Sequence, residues 1–544
     1  MFLKQIYMHK SLSVWTLATV VLALVLSMPI LVVLRAVFST DTGGWAHLFQ
    51  TNLASYIFNT LGLLLMTGML ATLMGVSTAW LIAATAFKGR RMLSWALMLP
   101  LAAPSYIIAY MYTDLLASAG PIQSGLRHVF GWQAGEYYFP SIRNLFGASL
   151  MLALVLYPYI YLLARIAFSS KNSAQIHAAR TLGLTASETF WRVALPTARP
   201  AIIGGLALVL METLADFGVA DYFAIPTFST GIFRTWLLMG EKVAALKLAG
   251  IMLLFVIALL WLEYQSRKGD TTGSTRPIPK PIPIQLTKRQ SVLAMCVCGF
   301  PVIFGFVIPV LGLSYYTFTG GDEIFGVQFY YLAKASLTIA SIVAVLTMII
   351  AIILAYTNRV QRSPITRGAI VLSTLGYALP GALLAVGLLG TSNKLDKFFT
   401  GFAVEYFGWQ GGLVISGTIA LLVYACVVRF LTIGFNSVNT RLESIPMAMD
   451  AAARALGQKP LGVIRRIHLP LMRSSMVAAG LLVFVDVMRE LPATLILRPF
   501  NFETLATRVY RLASDERLSE ASTAALTIIA ISLIPILILN RSQK

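Results

Sequence analysis

Twelve apolar runs, each about 20 residues long, dominate this chain of 544 residues. A helix of that length crosses roughly 30 Å of hydrocarbon. The runs fall near 13–33, 57–84, 95–116, 145–168, 200–223 and 246–264, then near 291–317, 332–357, 368–390, 413–435, 474–496 and 521–539. They are continuous and not alternating, which excludes a closed barrel and leaves membrane helices. Composition agrees, with 58% hydrophobic and only 12% charged residues, where a soluble domain carries about a quarter charged. The chain reads as an all-α integral membrane protein with about twelve helices, six in each half.

A net charge of +20 would fit a nucleic-acid binder only if it formed one stripe, and it does not. The basic residues gather in alternate loops: Lys88, Arg90 and Arg91 after the second run, Arg359, Arg362 and Arg367 after the eighth. With an even number of spans these loops lie on the side of both termini, which the positive-inside rule makes cytoplasmic. The first run follows Lys4 and Lys10 and is longer than a signal-peptide core, so it reads as a retained helix. Cys296, Cys298 and Cys426 lie inside apolar runs and read as buried free thiols, not as a zinc site.

The two halves repeat one another. HAARTLGLTASETFWRVALP at 177–196 aligns without a gap to AAARALGQKPLGVIRRIHLP at 451–470, at an offset of 274. Identical pairs include Ala178/Ala452, Ala179/Ala453, Arg180/Arg454, Leu182/Leu456, Gly183/Gly457, Arg192/Arg466 and Pro196/Pro470. Earlier in each half, Ala79-Trp80 matches Ala355-Tyr356 and Thr60 matches Ser336 at an offset of 276. Parallel halves of equal helix number imply a pseudo-two-fold axis along the membrane normal. We divide the chain into a first half at 1–264 (core about 57–262), a linker at 265–290 and a second half at 291–544 (core about 332–539). In the linker Pro277, Pro279, Pro281 and Pro283 alternate with other residues, which favours an extended tether.

Each copy of the polar phrase predicts a helix, a turn and a second helix. Ala178 and Ala179 are strong helix formers, Gly183 suits the left-handed position past a helix end, and Thr185-x-x-Glu188 has the capping-box pattern. Pro446 and Pro460 suit first-turn positions in the second copy, and Leu195-Pro196 is expected to close the hairpin. Phe190, Trp191 and Ile464 are expected to be exposed beside arginines, as at a protein interface.

This phrase resembles the cytoplasmic loop of the membrane subunits of binding-protein-dependent ABC importers, with its Glu-Ala-Ala, Gly and Leu-Pro pattern. The resemblance implies two tandem six-helix type-1 permease domains in the bacterial inner membrane. It also implies that each hairpin docks on one of two copies of a separate ATPase, and that an extracytoplasmic binding protein delivers the substrate. On this resemblance Ala178, Ala179, Arg180, Gly183 and Pro196 form one coupling loop, and Ala452, Ala453, Arg454, Gly457 and Pro470 form the other. His177 and Ala451 stand where the family has its glutamate. No phosphate-binding G-x-x-x-x-G-K-[ST] loop or other catalytic signature occurs in the sequence. The chain is therefore expected to be a non-enzymatic subunit without a cofactor, with ATP and magnesium used by the partner.

Four carboxylates lie within apolar runs: Glu212 and Asp216 in the fifth, Asp486 and Glu490 in the eleventh. The pairs are related by the same offset of 274, and i, i+4 spacing would place each pair on one helix face. A charge at the bilayer centre costs about 2.5–3.5 kcal/mol even on the lenient scale, so these groups are expected to face the bundle interior. Two readings stay open: an acidic lining for a hard cation, or structural pairing, with Arg489 holding a neighbour and Asp216 capping a helix break near Gly218. No metal site is assigned. The segments METLADFGVADYFAIPTFSTGIFRTW at 211–236 and RELPATLILRPFNFETLATRVY at 489–510 resemble those of ferric-iron importer permeases. That resemblance implies ferric iron as the substrate. The alternatives are thiamine, a polyamine, or an ion-coupled secondary transporter, which would leave the duplicated hairpin unexplained.

Overall fold

The computed structural model describes residues 14–40, 44–171, 173–267, 283–361, 363–407 and 415–542. Pro277, Pro279, Pro281 and Arg362 lie outside the described residues. Ten helices are long and apolar enough to cross a membrane: Val14–Val37, Leu53–Ala84, Leu145–Ser169, Ala186–Ala215, Lys242–Gln265, Lys288–Thr319, Val327–Val360, Ile419–Glu443, Pro460–Met488 and Leu518–Pro535. Two further spans are bent pairs, Arg90–Ala102 with Ser105–Phe130 at 91° and Pro364–Ala378 with Gly381–Ser392 at 116°. Counting each bent pair once gives up to twelve spans, numbered first to twelfth in chain order below.

The two expected continuous runs at 95–116 and 368–390 are thus broken helices. Both breaks fall at a proline, Pro104 and Pro380, 276 residues apart. Proline has no N–H for the helical ladder and pushes the residue before it out of the helical region. Ala103 and Leu379 accordingly adopt extended backbone.

The second span shows what surrounds the protein. Leu65, Met69 and Leu73 form an exposed apolar stripe at four-residue spacing, while Leu64, Thr67, Gly68, Ala71 and Gly75 on the other side are buried. An apolar face of this length is stable only against hydrocarbon. Small residues on the buried side allow close packing: a Cβ on Gly75 would meet Ile160 at 2.8 Å. Cys298 and Cys426 are buried as expected, whereas Cys296 is exposed on the lipid-like surface of the seventh span.

The helices form two compact units whose composition crosses the sequence midpoint. One comprises residues 42–329 and 505–544, the other residues 1–41 and 330–504. In the former, the seventh span packs with helices of the first half: Tyr112 donates to the Phe304 carbonyl at 2.6 Å, and a Cβ on Gly305 would lie 2.7 Å from the Leu154 carbonyl. The twelfth span joins it through Thr317 and Ser522, 2.8 Å apart. In the latter, the first span packs on the ninth so closely that a Cβ on Gly387 would lie 2.8 Å from the Pro29 carbonyl. A short parallel pairing of Thr85–Ala86 with Ile284–Gln285 holds the return of the linker against the end of the second span.

Candidate functional site

Both copies of the repeated phrase fold as matching hairpins. The first helix is Ser173–Thr181 in one and Met447–Ala455 in the other. Each ends at a left-handed glycine, Gly183 with φ 90° and Gly457 with φ 76°. The amide after each glycine reaches back to an alanine carbonyl, Leu184 to Ala179 at 3.2 Å and Gln458 to Ala453 at 3.0 Å. That six-to-one bond, with left-handed glycine before it, is the Schellman closure. Thr185 and Glu188 then form the capping box, with Thr185 N–H on the Glu188 carboxylate at 3.0 Å and Glu188 N–H on the Thr185 hydroxyl at 3.3 Å. In the second hairpin Pro460 takes the first helical position instead.

The Leu-Pro pair does not close either hairpin. The second helix runs through it into the fifth and eleventh spans, Ala186–Ala215 and Pro460–Met488. A π turn precedes each proline, Phe190–Ala194 and Ile464–His468. There Leu195 N–H bonds to the Phe190 carbonyl and Leu469 N–H to the Ile464 carbonyl, one residue further back than in an α-helix. The wider turn absorbs the bond that Pro196 or Pro470 cannot make. The hairpin and the membrane helix are therefore one continuous rod.

Exposure differs from expectation at two positions. Ile464 is buried, and half-buried Phe190 packs on Trp80 and Phe168 at centroid distances of 5.1 and 6.4 Å. Trp191 is exposed as expected. Among the described residues of the hairpins the most exposed apolar groups are the matched turn leucines, Leu182 at 84% and Leu456 at 82%. Ala179 and Ala453 are buried, while Ala178, Arg180, Ala452 and Arg454 face outward. His177 lies in the first helix, its side chain outside the described residues, and Ala451 is exposed.

The second hairpin has an anchor that sequence reasoning missed. Asp450, beside the vacant glutamate position, is buried and receives Arg359 Nε at 2.8 Å, Arg359 Nη2 at 3.2 Å and His468 Nε2 at 2.9 Å. Arg359 also donates to the carbonyls of Ile445 at 2.9 Å and Leu442 at 2.5 Å. Burial opposes ionisation of Asp450, but the Arg359 and His468 bonds outweigh it and hold the carboxyl below its usual range. In the first hairpin Ile176 stands at the Asp450 position and Ala194 at the His468 position. There the aromatic contact of Trp80, Phe168 and Phe190 does the anchoring. An Asp before three alanines and an Arg at a span end were the available signals, and neither is specific.

The intramembrane carboxylates do not form two helix faces, because the helices end between them. The fifth span stops at Ala215 and the eleventh at Met488, leaving Asp216 and Glu490 beyond the ends. Each caps the short helix that follows: Asp216 accepts from Val219 N–H at 3.0 Å, and Glu490 from Ala493 N–H at 3.1 Å. Each also meets the start of the second limb of a broken span. Ser105 donates to Asp216 at 2.8 Å, and a Cβ on Gly381 would strike Glu490 at 2.4 Å and Arg429 at 2.6 Å. Arg429 pairs with Glu490 at 2.9 Å, and Arg489 pairs with Asp486. The second-half carboxylates are thus each matched by an arginine. Glu212 is half-buried and engaged by a neighbour. Near Asp216 in the same unit lie further oxygen groups, with Tyr510 on Asp221 at 2.6 Å and buried Tyr110 edge-on to Tyr222 at 4.3 Å. Among the described residues no group of three His, Cys, Asp or Glu side chains is placed to hold a metal.

Residues 71–267, which include the first hairpin and the fifth span, match the family of binding-protein-dependent transport system inner membrane components. Over that stretch the chain is similar to the inner-membrane components of binding-protein-dependent transport systems, and its ten to twelve apolar helices suit a multi-pass membrane protein. Over 97% of its length, and 97% of the relative's, it is 24% identical to the Fe(3+)-transport system permease protein FbpB 2 of Haemophilus influenzae. It is 21% identical to the ferric transport system permease protein FbpB of Actinobacillus pleuropneumoniae, over 82% of this chain and 65% of that one. A shorter match, 28% identical, covers 36% of this chain and 84% of the molybdenum transport system permease protein ModB of Escherichia coli.

Proposed function

We propose that this permease translocates ferric iron handed over by an extracytoplasmic binding protein, driven by two copies of a separate ATPase that use ATP and magnesium. The observation that carries the coupling is the pair of matched hairpins, each continuous with a membrane helix and each presenting an exposed leucine. A rigid rod that ends in an apolar knob converts movement of a docked partner into movement of a span. On this reading the halves at 1–264 and 291–544, joined by 265–290, are the two repeats of the transporter. Both hairpins and both termini face the cytoplasm, as the positive charge of the loops requires.

The iron assignment rests on likeness to ferric permeases across nearly the whole chain. Glu212, Asp216, Asp486 and Glu490 are the pathway candidates, of which Asp486 and Glu490 are neutralised by Arg489 and Arg429. Carboxylate and phenol oxygens suit a hard cation. The decisive measurement is uptake of labelled ferric iron, labelled thiamine and a labelled polyamine by cells lacking this chain, before and after the chain is supplied back. Restoration of iron uptake alone supports the assignment, and restoration of another substrate with iron unchanged overturns it. Transport by the purified chain with no ATPase would refute the coupling.

A further inference from the structure

Each hairpin rises beside a crevice, and the repeat relates part of the two linings; among the described residues the two differ in how their charge is balanced. In the second half the crevice has a volume of about 300 Å³ and is lined by Asn358, Arg359, Asn439 and Glu443 among others. Its polar groups are satisfied internally: Arg359 by Asp450, Asn358 by Asn439 at 3.0 Å, and Asn439 by Glu443 at 3.1 Å. In the first half the crevice is larger, about 530 Å³, and is lined by Arg90, Arg91, Arg165, Ser94 and Ser169 with apolar neighbours. The offsets of the repeat relate the two, pairing Ile82 with Asn358, Arg165 with Asn439 and Ser169 with Glu443.

Among the described residues the lining of the first crevice holds three guanidinium groups, of Arg90, Arg91 and Arg165, and no carboxylate. Ser169 replaces Glu443, and Ile176 replaces Asp450. Arg90 is held by the Ile82 carbonyl at 2.8 Å, and Arg165 by the Ser94 carbonyl at 3.2 Å while it lies over the Tyr161 ring. These bonds fix the two heads without neutralising them, and both heads line the same crevice. Arg91 is exposed at the rim. Arginine forks and a serine hydroxyl converging on a cavity match the geometry of a phosphate group.

We propose that the crevice lined by Arg90, Arg91 and Arg165 is a binding site for a phosphate-bearing anion, supplied by an acidic phospholipid headgroup or by free phosphate. The site lies at the ends of the second and fourth spans, where headgroups sit. The first half takes from outside the counter-charge that the second half carries in Glu443 and Asp450. Occupancy ties the base of the first hairpin to its span.

The test uses the full chain purified in a neutral detergent. One arm reads lipid retention by native mass spectrometry with phosphatidylglycerol and, as control, phosphatidylcholine. The other titrates inorganic phosphate against chloride by thermal melting. Wild type should prefer phosphatidylglycerol, which assigns the lipid source, or melt higher in phosphate, which assigns the free anion. Arg91→Gln and Arg165→Gln should each weaken the response about fivefold, the value of one basic residue near an anionic surface. Arg367→Gln, exposed outside the crevice, should leave it unchanged. The exposed Arg91 side chain makes no hydrogen bond or ion pair among the described residues, so its variant keeps the test valid if the Arg165 variant does not fold. Equal binding of both lipids with no phosphate effect, or an Arg91→Gln response equal to wild type, overturns the proposal.

Discussion

Replacing Asp450 with alanine should release the second hairpin and leave the first in place. The Asp450 side chain is 4% exposed and the Arg359 side chain 5%, which puts the pair among buried bridges and not among surface ones worth under 1 kcal/mol. Removing one partner of a buried pair costs about 3–5 kcal/mol, because the remaining charge is left uncompensated. Arg359 retains the carbonyls of Leu442 and Ile445, so the lower end, about 3 kcal/mol, is expected. At about 1.4 kcal/mol per tenfold, that is roughly a hundredfold faster amide exchange in residues 447–457. Hydrogen exchange of the purified full chain measures it, with the first hairpin as internal control because Ile176 occupies the equivalent position. Asp450→Asn keeps an acceptor for His468 and should fall between wild type and alanine. Exchange in Asp450→Ala within fivefold of wild type would refute the argument, as would equal acceleration of both hairpins.

Other consequences are simpler to read. Gly381→Ala places a methyl group against Glu490 and Arg429 and should lower the melting temperature more than Ser105→Ala, which loses one hydrogen bond worth about 1 kcal/mol. Leu182→Ala and Leu456→Ala, both at exposed turn positions, should leave melting unchanged while cutting transport-coupled ATP hydrolysis at least tenfold when combined. The depressed Asp450 carboxyl contributes stability above its unfolded value near 4 and loses it only as pH falls through its lower folded value. Protection of residues 447–457, corrected for intrinsic exchange, should therefore stay level from pH 8 to about 5.

Much of the architecture was legible because it depends on local pattern. Runs of apolar residues marked the membrane helices, and Gly183, Gly457 and the Thr185–Glu188 pair marked the turns and the new helix start. The Leu-Pro pair misled, since a proline does not end a helix when a π turn supplies the missing slack. The carboxylates misled for a related reason. Their i, i+4 spacing describes a helix face only where the helix continues, and it stops at Ala215 and Met488.

By itself the sequence determined the solvent, the duplication and the hairpins, since hydropathy, internal repetition and left-handed glycines act over a few turns of chain. Only the tertiary structure decided which charges meet. Arg359 and Asp450 lie 91 residues apart, and Arg429 and Glu490 lie 61 apart. No periodicity links such positions. The same holds for the first and seventh spans, whose packing partners come from the opposite half of the sequence. Their contacts depend on where small residues such as Gly387 and Gly305 allow backbones to approach, and an apolar run of suitable length is silent about that.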